Sequence, residues 1–89
     1  MTTEEKKKLL NRVRRIRGQV EAIERTLDQE AECSEVLHNI SACRGAMDAL
    51  MAEVIEDHVR CHVAAPTLAA NKRAEGADDL IEVVHAYLK

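Results

Sequence analysis

The sequence predicts an all-α protein with three helices per chain, two copies of which pair as an antiparallel four-helix bundle. Three observations support this prediction. The 89 residues include only three glycines and one proline, so turns are few and helices are long. The chain has no Phe or Trp and a single Tyr, so one copy buries little apolar area and oligomerisation is the usual remedy. Apolar residues recur at heptad spacing, as in helices that pack on other helices. We expect residues 1–89 to form a single domain.

The first helix is predicted over residues 4–28. Thr2 followed by Glu5 fits a capping box at its start. The residues at 28–32 include neither Gly nor Pro, so only the lapse in the apolar pattern indicates a break there. Steps of four and three residues form one heptad seam along this helix: Leu9, Val13, Ile16, Val20, Ile23 and Leu27.

The second helix is predicted over about 32–63 and is the longest of the three. One apolar line along it consists of Leu37, Ile40, Met47, Met51, Val54 and His58, and a second consists of Val36, Cys43, Leu50 and Ile55. Because the apolar stripe is wide, much of the surface of this helix is expected to be buried. Gly45 lies in the middle of it, and we interpret this glycine as marking a close approach between helices.

The third helix is predicted to be short, at about 77–88. Pro66 should end the second helix shortly before itself, because the residue before a proline disfavours helical backbone. Residues 64–79, which contain this proline, are predicted to be a linker. The chain has no apolar run that could cross a membrane and no signal peptide, so we expect a cytoplasmic protein.

Candidate metal ligands lie at both ends of the second helix. His58 and His62 in the motif EDHVRCHV are one helical turn apart and can chelate together. Cys33 precedes His58 by 25 residues, about 37 Å along a straight helix, so one chain cannot join them at one ion. Antiparallel pairing brings Cys33 of one copy beside both histidines of its partner. This thiolate and imidazole set suits Cu(I), Zn(II), Ni(II) or Co(II).

Other interpretations of these residues stay open. Cys61, three residues after His58, is an alternative ligand that would replace or supplement His62. A cysteine on an apolar stripe is commonly a small buried side chain, and histidines near a helix C-terminus can simply favour the helix dipole. We expect His38 and Cys43 to be structural and His85 to lie at the surface.

Basic residues concentrate near the N-terminus. The net charge is −3, yet residues 1–25 hold eight of the 13 basic residues and four of the 16 acidic ones. Such a face binds the phosphates of double-stranded DNA, although it can also be merely a solvated helix surface. No aromatic residues are interleaved, so single-strand binding by base stacking is not expected. The predicted DNA-binding residues are Lys8, Arg12, Arg14, Arg15 and Arg17.

Three stretches of the chain resemble the family of metal- and formaldehyde-responsive repressors that includes CsoR, RcnR and FrmR. They are EEKKKLLNRVRRIRGQVEAIER at 4–25, AECSEVLHNISACRGAMDALMAEVIEDH at 31–58 and IEVVHAYLK at 81–89. The resemblance implies all-α dimers that associate into flat tetramers and bind operator DNA. It also implies that an effector releases the DNA, so that efflux or detoxification genes are transcribed.

The resemblance also bears on the effector. The pattern of a Cys, a His and a second His four residues later resembles nickel and cobalt sensors. Some copper sensors share this pattern, although copper sensors commonly have Cys in the last position. Nickel and cobalt sensors of the RcnR kind add an N-terminal His, and formaldehyde sensors an N-terminal Pro. This chain has Thr2 and Thr3 there.

We therefore predict a repressor that binds DNA in the metal-free form and is released by Ni(II) or Co(II), with Cu(I) as a further candidate. The alternative is a formaldehyde-responsive repressor that uses Cys33. A metal buffer that does not bind DNA is a competing class. An enzyme is not predicted, because no third orienting group or Gly-rich oxyanion loop accompanies the Cys and His residues, and no organic cofactor is expected.

Overall fold

The computed structural model describes residues 2–88, which form three helices: α1 (Thr3–Asp28), α2 (Cys33–His62) and α3 (Ala70–Tyr87). The all-α, three-helix prediction is confirmed, and α1 and α2 match their predicted bounds closely. Both α1 and α3 pack on α2, and within the described residues they do not contact each other. The chain is therefore flat, with extents of 56 × 30 × 13 Å. None of its described helices combines the length and apolarity needed to span a bilayer.

The start of α1 is held by the predicted capping box. The Glu5 amide donates to the Thr2 hydroxyl at 3.1 Å, and the Thr2 amide donates to the Glu5 carboxylate at 2.8 Å. Each bond satisfies a backbone N–H group that the helix itself cannot pair. Glu4 and Glu5 also place negative charge at the positive end of the helix dipole. The prediction of this capping box is confirmed.

The turn between α1 and α2 is a Schellman motif built without glycine. The Ala31 amide donates to the Thr26 carbonyl at 2.9 Å, and the Glu30 amide donates to the Leu27 carbonyl at 3.2 Å. Glu30 has φ 55°, in the left-handed region that glycine usually occupies at this position. The sequence therefore marks this turn only weakly, although its hydrogen bonds are those of a standard helix end.

The segment between α2 and α3 differs from the prediction. The long helix ends at His62, shortly before Pro66, as expected. The predicted linker over 64–79 and the predicted helix over 77–88 are wrong at one boundary, because α3 begins at Ala70. The prediction took Gly76 as a linker residue, but it is a packing residue inside α3, buried against the end of α2. A Lys72–Glu75 ion pair at 3.3 Å spans the first turn of α3.

The apolar surface of a single chain is mostly uncovered. Among residues 2–88, Ile16 is the only buried hydrophobic side chain, with 8% of its surface exposed. The second apolar line of α2 is partly covered within the chain, whereas its first line is exposed: Leu37, Ile40, Met47, Met51 and Val54. No atom of another helix of the same chain would contact a Cβ on Gly45. The first line and Gly45 are therefore available to a second chain.

Candidate effector site and basic face

The C-terminal end of α2 brings two of the three predicted metal ligands together. His58 and His62 lie one turn apart, and their ring centroids are separated by 5.0 Å. His62 is exposed and His58 is half-buried. Two imidazoles at this spacing can both bind one transition-metal ion, which prefers nitrogen and sulfur ligands.

A hydrogen bond to α3 orients the ring of His58. Its Nε2 lies 2.8 Å from the Gly76 carbonyl oxygen. A carbonyl oxygen can only accept, so the hydrogen is on Nε2 and the lone pair of the neutral ring is on Nδ1. An imidazole held this way at one nitrogen is prepared to bind a metal ion through the other.

Gly76 makes this contact available because it lacks a side chain. It is buried, and a Cβ at this position would overlap the His62 carbonyl oxygen and crowd the His62 Cβ. The backbone of α3 can therefore approach the end of α2 closely enough to reach His58. The only sequence signal for this role was the glycine itself. Because Gly76 lies in a polar stretch, it was interpreted as part of a linker.

Cys33 lies at the other end of α2. It is the first residue of the helix and is exposed. Since 25 residues of helix separate it from His58, about 37 Å lie between them. Within residues 2–88, no three His, Cys, Asp or Glu side chains are grouped so that they could hold a metal ion. One chain therefore presents a histidine pair and a thiol separately.

Of the remaining Cys and His residues, the two cysteines are half-buried and the two histidines are exposed. Cys61 is half-buried and lines a small pocket of about 140 Å³ together with His58 and His62, so it stays an alternative ligand. Cys43 is half-buried on the inner line of α2. His38 and His85 are exposed.

A buried acid lies next to the candidate ligands, and no sequence pattern indicated it. Asp57 has only 6% of its surface exposed, and its carboxylate accepts a hydrogen bond from the Arg60 guanidinium. This bond raises the pKa of Arg60 above its ordinary value. A buried carboxylate is stable only when it is paired, so the segment just before His62 is fixed by charge as well as by packing.

An ion pair between Arg12 and Glu53 joins α1 to α2. Arg12 donates from Nε to one Glu53 carboxylate oxygen at 2.8 Å and from Nη2 to the other at 3.2 Å. The hydrogen bond from Arg12 lowers the pKa of Glu53. A lowered carboxyl pKa means that the pair stabilises the fold at neutral pH and that this contribution is lost as the pH falls through the carboxyl range.

The other predicted DNA-binding residues lie open on α1. Lys8, Arg14, Arg15 and Arg17 are all exposed. Arg14 donates to the Asn11 side chain of its own helix at 3.1 Å. Four exposed cations on one short stretch of helix form a local positive surface on a chain that is acidic as a whole.

A family model described as metal-sensitive transcriptional repressor matches residues 5–86. The transcriptional repressor RcnR of Salmonella paratyphi B is 40% identical over 88 residues, which cover 99% of this chain and 97% of RcnR. A Serratia marcescens protein, described as uncharacterized and encoded in the bioA 5' region, is 49% identical over 88 residues, with the same coverage of both chains.

Two solved structures share the fold. One is a variant of the formaldehyde-responsive regulator FrmR from Salmonella enterica serovar Typhimurium, in which a glutamate is replaced by histidine. It has a TM-score of 0.89 and 41% identity, with 97% of each chain covered. The other is the copper-sensing repressor CsoR with Cu(I) from Geobacillus thermodenitrificans. It has a TM-score of 0.88 and 25% identity, with 100% of this chain and 92% of CsoR covered.

Proposed function

We propose that this chain, which belongs to the family of metal-sensitive transcriptional repressors, binds operator DNA through α1 and releases it when a transition-metal ion binds between two chains. Its family membership rests on the match to residues 5–86 and on full-length relatives that are 40% and 49% identical. Members of the family repress transcription and are not enzymes.

The proposed ligands are Cys33 of one chain with His58 and His62 of its partner. The observation that carries this proposal is the arrangement along α2, where the histidine pair and the thiol lie at opposite ends. The Gly76 carbonyl leaves Nδ1 of His58 available. An antiparallel pairing of two α2 helices through their exposed apolar line would place each thiol beside the partner's histidine pair.

Nickel and cobalt are the favoured effectors, because Cys, His and His at these spacings resemble the ligands of nickel and cobalt sensors. These ions need more than three ligands, which water or Cys61 would supply. Cu(I) is satisfied by one thiolate and two imidazoles and is the next candidate. Binding at the site would fix two α2 helices relative to each other and so alter the spacing of the basic faces on α1.

A second candidate function is formaldehyde sensing through Cys33. The observation that favours it is the likeness to a formaldehyde-responsive regulator over 97% of this chain at 41% identity. The exposed thiol at the start of α2 is accessible to a small electrophile.

Release of DNA, measured in parallel with five effectors, tests both functions. A duplex selected from a random pool by the metal-free protein is titrated with Ni(II), Co(II), Cu(I), Zn(II) and formaldehyde, and release is followed by fluorescence anisotropy. His62→Ala should remove the response to metal and spare a response to formaldehyde. His38→Ala, a change at an exposed histidine of the same helix, is the matched control and should respond as the wild type does.

A mixing experiment tests whether the ligands come from two chains. Cys33→Ala and His62→Ala homodimers each lack a complete site. A heterodimer of the two variants would have one intact site, because Cys33 of the second variant meets His58 and His62 of the first. We expect high-affinity metal binding to reappear on mixing, at about one site per heterodimer. If mixing restores nothing while the heterodimer forms, the two-chain site is wrong.

A further inference from the structure

One basic residue of α1 differs from the others in what it contacts. Lys8, Arg14, Arg15 and Arg17 are exposed, whereas the Arg12 side chain is 29% exposed and is bound to Glu53 through two N–H groups. A bidentate arginine–carboxylate pair fixes both the distance and the relative orientation of the groups it joins. The guanidinium edge formed by Nε and Nη2 is therefore already occupied by protein.

The pair is also distinct in what it connects. The other ion pairs within residues 2–88 join positions three or four residues apart on one helix, such as Arg60–Glu56 and Lys72–Glu75. Arg12 and Glu53 are 41 residues apart and belong to different helices. Local pairs stiffen one helix, whereas this pair constrains how α1 lies on α2.

Glu53 lies in the half of α2 that holds the candidate effector ligands. It precedes His58 by five residues and lies next to the polar cluster of Glu56, Asp57 and Arg60. Asp57 is buried and is hydrogen-bonded to Arg60 of the same helix, so this part of α2 is stiff. A displacement of the α2 segment that carries the histidines would therefore be passed to α1 at Arg12.

We propose that Arg12 is a positioning residue rather than a phosphate ligand, and that its ion pair with Glu53 transmits effector binding to the exposed basic residues of α1. This inference rests on the proposed function. The pair holds α1 at one angle on α2, and the exposed cations at 8, 14, 15 and 17 meet DNA from that angle. Without the pair, α1 shifts on α2, so DNA affinity falls and effector binding is no longer converted into DNA release.

The test compares the operator affinity of Arg12→Gln, Glu53→Gln and the double variant over a range of salt concentrations. We expect each single variant to bind the selected duplex about tenfold more weakly, and the double variant to be no weaker, because each change breaks the same pair. The slope of log affinity against log salt should match that of the wild type. Arg15→Gln should make that slope less steep, by about 0.9 for each phosphate contact it removes.

A phosphate-binding Arg12 predicts the opposite results and would overturn the inference. In that case Glu53→Gln frees the guanidinium and strengthens DNA binding, and Arg12→Gln lowers the salt slope as Arg15→Gln does. Glu56→Gln is the matched control, since it removes one carboxylate from an exposed position one turn further along α2. It corrects for the general effect of removing a negative charge.

An exchanged pair keeps the test informative if a single variant folds poorly. The variant with both Arg12→Glu and Glu53→Arg restores an ion pair with its polarity reversed. Positioning predicts that its DNA affinity and its release by Ni(II), Co(II), Cu(I) or Zn(II) recover towards the wild type, whereas a phosphate contact at position 12 predicts a further loss. The salt slopes are measured without metal, so they test the role of Arg12 independently of the effector. Failure of the wild type to release DNA with any of these ions would instead reject the proposed function.

Discussion

The two ends of α2 differ in how the chain treats its candidate ligands. At the C-terminal end, α3 packs against the helix, Gly76 hydrogen-bonds His58, and Asp57 is buried with Arg60 as its partner. At the N-terminal end, Cys33 is exposed and no side chain caps the helix. The chain thus builds the imidazole half of the proposed site firmly and leaves the thiol half open.

This difference indicates a division of roles between the ends. The hydrogen-bonded ring of His58 lowers the cost of ordering ligands when a metal ion binds. The open thiol can approach a second chain without first breaking contacts inside its own. Changes that disturb the packing of α3 on α2 should therefore alter both stability and effector binding, whereas replacing the exposed Cys33 side chain should alter effector binding alone.

The largest effect is expected at the open end, from Cys33→Ala. Loss of a thiolate ligand should weaken metal binding by at least about 100-fold, beyond what loss of an outer-shell partner costs. The melting temperature and the DNA affinity of the metal-free protein should stay unchanged, because Cys33 is exposed. Calorimetric metal titration, thermal denaturation and DNA binding measure these three quantities. Cys43→Ala is the control and should bind metal normally; equal losses in both variants would argue against a specific ligand.

The next largest effect is expected at the packed end, from Gly76→Ala. The added Cβ would overlap the His62 carbonyl, so α3 must move away from α2 and release His58. We expect metal affinity to fall by about 10- to 100-fold and the free energy of unfolding to fall by roughly 1–3 kcal/mol.

Gly18→Ala is the matched control for this change. A Cβ at Gly18 meets open space, so alanine in this helix should raise the free energy of unfolding by roughly 0.5–1 kcal/mol and leave metal binding intact. Wild-type metal affinity in Gly76→Ala would show that α3 does not orient His58.

A smaller effect, on stability alone, is expected from replacing the buried acid Asp57, and replacing an exposed acid should have almost none. Asp57→Asn weakens a hydrogen bond to a charged partner at a buried site and should lower the free energy of unfolding by about 1–3 kcal/mol. Asp48→Asn, on an exposed part of the same helix, should change it by less than about 0.5 kcal/mol. Urea denaturation at one fixed protein concentration measures both, and equal effects would remove the distinction between packed and open regions.

The smallest effect is expected in the turn that leads to Cys33. Glu30→Gly relieves the positive φ at this position and should raise the free energy of unfolding by about 1 kcal/mol, with no effect on metal binding. Gln29→Gly is the neighbouring control. Gln29 has φ −87°, so glycine there relieves nothing and should be destabilising. A gain in stability from both changes would mean that the left-handed backbone of Glu30 is not the cause.

Local sequence patterns predicted much of the fold. The heptad seam from Leu9 to Leu27 and the Thr2–Glu5 pair predicted α1, and Pro66 predicted the end of α2. The apolar line from Leu37 to Val54 was expected to be buried, and the single chain instead leaves it exposed. These features depend on residues that are near one another in sequence, so their spacing carries the information.

Features that depend on distant residues could not be predicted in the same way. The start of α3 was missed because Gly76 is a packing glycine, and its partner, the His62 carbonyl, is identified only by the tertiary contact. The ion pair between Arg12 and Glu53 has no periodic signature. The ligand assignment to Cys33, His58 and His62 stays a prediction.

A chain whose described residues bury one hydrophobic side chain, Ile16, has little to keep it folded when it is alone. For an assembly that unfolds to separate chains, each tenfold dilution of a dimer lowers the free energy of unfolding by about 1.4 kcal/mol. The amount of this protein would then govern its survival as well as its occupancy of DNA. Newly made chains below the assembly threshold would be substrates for proteases, which sets a lower limit on the concentration at which repression can begin.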